Sequence, residues 1–187
     1  MFIGVLMTGL PFSMAVTLLL YLPSLLRNRR RRPVLRHLAL YAFWCFCLLA
    51  VYATLLIWFL VDPFPFPPPY YFLNLAPFDW LWNTYEMGWE RMAGQLILNI
   101  LMFVPFGMLL PVVFRRMRSL GWAALGALGF TVAIETVQYF IGRSADIDDV
   151  IMNVLGGLIG YSVFALCNRL LRDKLWWRKM LGTAVIR

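Results

Sequence analysis

Five stretches of mainly apolar residues dominate this chain: Phe2–Leu26, Leu38–Val61, Gln95–Phe114, Leu120–Ile141 and Val150–Leu171. Each has about the 20 residues that a helix needs to cross a lipid bilayer. The composition agrees, with 62% hydrophobic and 14% charged residues. Soluble domains run at about 45–50% apolar and about 25% charged, so an ordinary soluble globular fold is excluded. The first stretch has no basic residues before it and arginines after it, the reverse of a secretory signal peptide. The predicted fold is all-α, an integral membrane helical bundle of five transmembrane helices. Short connections make residues 1–187 one membrane domain, with an outer loop over 62–93 and a cytoplasmic tail over 172–187.

The charges lie between the stretches and divide unequally. Six arginines fall in Arg27–His37, three in Arg115–Arg118 and six basic residues from Arg169 onward, which places 15 of the 17 on one side. The other side has Arg91 and Arg143 and nearly all the acidic residues. By the positive-inside rule the basic side is cytoplasmic, so the N-terminus is expected outside and the C-terminus inside. The net charge of +8 then reflects topology and contact with anionic membrane lipids rather than nucleic-acid binding. The tail segment Arg172–Arg178 sets two tryptophans among charges and is expected to lie at the interface. Cys45, Cys47 and Cys167 sit inside apolar runs, which gives neither a disulfide framework nor a metal knuckle. The single histidine, His37, falls in the basic loop, so neither a multi-His zinc site nor a Ser-His-Asp triad is expected.

The loop Asp62–Ala93 opens on a proline run that cannot be helical. It continues through Asn74-Leu-Ala-Pro-Phe78 and holds ten aromatics in 32 residues. Two readings stand for it. One is an aromatic belt on the outer leaflet, the other a lid whose ring faces stack on a glycan or an amphipathic ligand.

Ionisable groups inside a span cost about 2.5–3.5 kcal/mol each on insertion scales, so they face the protein interior or a wet cavity. Glu135 and Gln138 sit three residues apart on one face of the fourth stretch. At about 1.5 Å per residue, Glu135 lies roughly 9 Å below the outer surface, with Asn99 and Asn153 at roughly 6 Å. Asp146, Asp149 and Asn153 fall at i, i+3 and i+7, one continuous face of the last helix. That stripe runs on through Gly156, Gly157 and Gly160, with Gly156 and Gly160 a small-residue contact, and is expected against the fourth span with its Gly126 and Gly129. Arg143 is the expected partner of Glu135 or Asp149. Pro105 and Gly107 predict a kink in the third span. The cluster reads either as interhelical hydrogen bonding, for which Asn99 and Asn153 alone would suffice, or as a ligand-binding site built from Asn99, Glu135, Gln138, Arg143, Asp146, Asp149 and Asn153.

The run Asn99-Ile-Leu-Met-Phe-Val-Pro-Phe-Gly107 with Pro111, followed by Glu135, Gln138, Arg143, Asp146, Asp148, Asp149, Asn153, Gly156 and Gly160 at fixed spacing, resembles the VanZ-like family of bacterial membrane proteins. Asn74-Leu-Ala-Pro-Phe78 is similar to that family's NLxPF element, and the resemblance covers about Asn74 to Tyr161. It implies a multi-pass protein of the bacterial cytoplasmic membrane. The family takes its name from a protein of low-level teicoplanin resistance that lowers glycopeptide binding at the cell surface. No catalytic residues come with the resemblance.

Three functions follow as expectations. The first is action at the outer face, lowering glycopeptide (teicoplanin) binding or handling a lipid-linked envelope component, with a lipid-linked glycan or lipoglycopeptide as partner. The second is a membrane-embedded enzyme on a lipid or lipid-phosphate substrate, with Glu135 and Asp149 as acid and base. No cofactor motif is present; Asp146, Asp149 and Asn153 are the one oxygen set suited to Mg²⁺. The third is a small transporter, which the lack of an inverted repeat and of a mid-membrane carboxylate disfavours.

Overall fold

The computed structural model describes residues 4–56, 73–78 and 89–183. Most of the aromatic loop therefore lies outside the described residues, including its proline run and Trp80, Trp82 and Tyr85. Helix α1 (Leu10–Asn28) follows a π-helical turn, Val5–Gly9. Helix α2 (Val34–Val51) ends in a second π-helical turn, Tyr52–Leu56. A two-residue strand β1 (Leu73–Asn74) precedes α3 (Trp89–Val113), and a 3₁₀ turn at Arg115–Arg118 leads to α4 (Leu120–Phe140). Strand β2 (Ala145–Asp146) introduces α5 (Ile147–Leu171), and a short α6 (Leu175–Met180) follows. Among the described residues, five helices are long and apolar enough to cross a membrane.

The helix starts correct one expectation. Pro33 breaks the chain after α1, and α2 begins at Val34. His37 is therefore not a loop residue but part of the first turn of α2, where it is buried and its Nδ1 lies 2.7 Å from the Tyr21 hydroxyl. The pairing satisfies two polar groups that lipid could not.

The central helix is α3, which packs against α2, α4 and α5. Its Phe103 and Phe106 anchor the apolar core with Phe43 of α2 and Phe130 of α4. The Phe106 and Phe130 rings stack with centroids 4.6 Å apart. Pro105 and Pro111 both lie inside α3, which continues as helix through them.

Small residues decide how close the helices come. A Cβ on Gly156 would meet the Ile100 carbonyl, and one on Gly160 the Val104 carbonyl, while Gly107 faces the backbone of Gly157. Gly156 and Gly160 thus pack on α3, while Gly157 faces Ala127 of the fourth span, the neighbour that the sequence pattern suggested for the whole stripe. The two glycines credited to α4 do not take part: Gly126 sits against Leu110 and Gly129 faces open space. Periodicity shows that a stripe exists but not which neighbour it meets. Gly107 serves this close approach between backbones.

The arginine-rich end closes the last turn of α3. Helix C-termini leave four carbonyls without intrahelical donors, and here each has a partner. Leu110 O accepts from Phe114 N, and Pro111 O accepts from Arg118 Nε at 3.0 Å. Arg36 donates to Val112 O at 2.6 Å and to Val113 O at 2.5 Å. The same two arginines donate to Met180 O and Leu181 O, fixing the end of α6. Trp177 is buried, stacked on Phe164 and donating to Asn168 Oδ1 at 3.0 Å, while Trp176 is exposed. Half of the tryptophan pair expected at the interface is therefore part of the core, because α6 folds back against α2 and α5.

Replacing Gly160 by Val should destabilise the bundle by at least about 1–3 kcal/mol, since the added carbons meet backbone rather than a movable side chain. Gly129→Ala, with open space around it, should stay within about 0.5 kcal/mol. Thermal unfolding of both variants in detergent checks the pair.

Candidate functional site

The polar layer forms where α3, α4 and α5 approach one another at the end opposite the arginines. It begins with the turn between α4 and α5. Gly142 has φ +81°, Gly142 N donates to Tyr139 O and Arg143 N to Gln138 O at 2.9 Å. These bonds terminate α4 in a left-handed glycine cap, which sets the direction in which Arg143 leaves the helix.

Arg143 then meets a partner that sequence spacing did not indicate. It donates to the Thr54 carbonyl at 2.6 Å, in the π-helical turn that ends α2. Among the described residues the one ion pair is Arg172–Asp173, so Arg143 forms no direct pair with Glu135 or Asp149. Its link to Glu135 passes through Gln138. With the amide nitrogen turned toward Glu135, Gln138 donates to both Glu135 oxygens at 3.0 and 3.1 Å and accepts from Arg143 at 3.1 Å. A neutral amide thus relays between guanidinium and carboxylate. Pairing through such a relay keeps the charges apart while filling their hydrogen-bond capacity.

Glu135 is buried and its Oε2 also accepts from Asp146 N at 3.2 Å. Asp146 is the N-cap of α5, accepting from Asp148 N at 2.8 Å, and its carboxylate suits the positive end of the helix dipole. Asp149, one turn into α5, accepts from Asn99 Nδ2 of α3 at 2.5 Å. Asn153, the next turn down, donates to Thr131 Oγ1 of α4 at 2.9 Å. All seven residues singled out from the sequence therefore fall in one layer, but not in one role. Asp146 caps a helix and Asn153 ties α5 to α4. Glu135, Gln138 and Arg143 form a chain, and Asp149 joins α5 to α3.

Sequence reasoning named Asp148 only as a motif residue and missed Thr131 and the Thr54 carbonyl. Asp148 is buried and its Oδ1 accepts from Phe78 N at 2.7 Å. Asn74 donates to Asp146 Oδ2 at 3.2 Å and accepts from Ala76 N, so Asn74-Leu-Ala-Pro-Phe78 is strapped across the acidic turn. The strap also pairs in parallel, Leu73 with Ala145 and Asn74 with Asp146. The alternation of Asp146 and Asp148 was the available signal, since a capping residue at i leaves i+2 free to serve a different segment. Among the described residues no three acidic, His or Cys side chains converge in a way that would hold a metal ion.

Comparison with known proteins decides what family this architecture belongs to. The family model described as VanZ/LLP1 matches residues 46–168. The chain belongs to the VanZ/LLP1 family. It is also 33% identical over 134 residues to Protein VanZ of Enterococcus faecium, covering 68% of this chain and 77% of that protein. No solved structure matches it. The VanZ/LLP1 span runs from within α2 to near the end of α5, so it includes Thr54, the Asn74 strap and every side chain of the polar layer. Helices α1 and α6 lie outside it.

Asp148→Ala should release the strap by removing the acceptor of Phe78 N. The expected loss is about 1–3 kcal/mol for a buried group left unpaired. Hydrogen exchange should show it locally, with amide protection falling at Ala76 and Phe78 and unchanged in the middle of α3.

Proposed function

We propose that this protein acts at the outer face of the bacterial cytoplasmic membrane, where it lowers glycopeptide binding or handles a lipid-linked envelope component. The observation that carries the reading is the chain from Arg143 through Gln138 to Glu135, set beside the Asp149–Asn99 pair. Packing needs no ionised groups here, because the Asn153–Thr131 bond already joins α5 to α4 and glycines join α5 to α3. Two carboxylates and a guanidinium held at one depth add a cost that function repays.

The orientation rests on the unequal charges. The end holding Arg36, Arg115, Arg116 and Arg118 is the cytoplasmic one by the positive-inside rule, with the N-terminus outside. The polar layer then lies on the side of the outer leaflet, where headgroups of lipid-linked glycans and the acyl chain of a lipoglycopeptide are found. The strap over Asp146 and Asp148 covers this layer, and the aromatic loop that carries it supplies ring faces for an amphipathic ligand. The name of the enterococcal relative supports the glycopeptide branch.

The test measures labelled teicoplanin on susceptible cells expressing the wild type, Glu135→Gln or Asp149→Asn at matched levels. The wild type should lower binding, and both variants should lose most of that effect. Equal lowering by all three proteins would make the polar layer a packing device. No lowering by the wild type would remove the glycopeptide branch and leave the lipid-linked component.

A further inference from the structure

We propose that the arginine-rich end of the bundle contains a site for the phosphate of an anionic phospholipid, in the groove between the α1–α2 connection and the end of α3. The groove encloses about 600 Å³ and is lined by Arg31, Arg32, Arg36, Leu40, Phe114 and Gly182 among others. Small-molecule sites fall in the range of about 300–1,000 Å³. Among the described residues no carboxylate lines it.

Arg36 is held in place from behind. Its donors to Val112 O, Val113 O and Met180 O fix the guanidinium, yet those acceptors are neutral carbonyls and leave its charge uncompensated. Arg31 and Arg32 are exposed and flank it, positioned by backbone bonds from both residues to Asn28 O. Pro33, the N-cap of α2, lines the same groove, so the positive end of an 18-residue helix adds its partial charge. Gly182 sits at φ +67° against Arg36, where a Cβ would meet the Arg36 side chain at 3.2 Å. The absence of a side chain there keeps that wall open. The like charges at this end crowd one another: burial, with Arg36 and Arg115 beside it, pushes the Arg118 guanidinium below the usual arginine range. Asp173 is paired with Arg172 and does not line the groove.

The apolar part of the lining selects a lipid over a free anion. Leu40, Val113 and Phe114 are in the lining, with Phe114 the exposed one. A second cleft of about 500 Å³ shares Arg31 and is lined by Leu20 and Arg27. It adjoins a face of α1 on which Leu19 and Leu20 are each 71% exposed, a surface suited to acyl chains. A phosphodiester on the arginines with its glycerol and acyl portion on this wall uses both halves of the lining. Inorganic phosphate would use only the first.

Native mass spectrometry of the full chain, released from nanodiscs of phosphatidylcholine with phosphatidylglycerol, reads the retained lipid. The compared variants are Arg31→Gln/Arg32→Gln in the groove and Arg115→Gln/Arg116→Gln, equally exposed arginines at the same end but outside it. Wild type should retain phosphatidylglycerol over phosphatidylcholine. The groove pair should weaken that retention about tenfold more than the control pair, the scale of charge-assisted hydrogen bonds, and added inorganic phosphate should leave it unchanged. Equal weakening by both pairs would overturn the proposal in favour of diffuse attraction. Displacement by inorganic phosphate would overturn the lipid assignment. Arg32→Gln against Arg116→Gln gives the same comparison if the double variants do not accumulate.

Discussion

The close approach of α3 and α5 is the contact on which the rest of this bundle depends. Lipid offers no hydrophobic driving force between helices, so association comes from packing at short range and from internal polar contacts. Gly156 and Gly160 supply the short range by bringing α5 against the Ile100 and Val104 carbonyls. Once that distance is set, Asn99, the neighbour of Ile100, reaches Asp149, two turns before Gly156. Gly157 rests on Ala127 of α4, and one turn along α4 Thr131 meets Asn153. The polar layer is thus a geometric result of the glycine contact and extends it toward the strap.

Both ends of the bundle face the same requirement, that exposed backbone carbonyls find donors inside the protein. Both meet it with arginine. Arg143 serves the Thr54 carbonyl, and Arg36 and Arg118 serve the last turn of α3. The guanidinium suits this work because it presents several donors in a fixed plane. The two ends differ in what remains. At the polar end the guanidinium is coupled through Gln138 to a carboxylate, while at the basic end charge is left over beside a groove.

The five spans were legible because hydropathy and length measure the membrane directly. The polar layer was legible because Glu135, Gln138, Asp149 and Asn153 repeat at helical spacing, and spacing fixes a face. What spacing does not encode is the partner of that face. Gly156 and Gly160 were expected against α4 and meet α3. Arg143 was expected on a carboxylate and donates to a carbonyl 89 residues away. Asp148 was read only as a motif residue, and its partner Phe78 N is a backbone group 70 residues earlier. Backbone partners carry no side-chain signature, so these contacts had none to read. Trp177 was hidden for a related reason: a tryptophan among charges reads as interfacial until a short helix is seen to fold back.

The sharing of Arg36 between α3 and α6 has a consequence for biogenesis. Its acceptor on Met180 is made 144 residues after Arg36 itself, so vectorial synthesis delivers the acceptors in sequence. The α1–α2 hairpin emerges first with a charged side chain that has no carbonyl to serve. Arrival of Val112 and Val113 gives that charge its first seat, and α6 completes it only when the five long helices already exist. The last short helix therefore adds its acceptor to Arg36 only after the five long helices have been made.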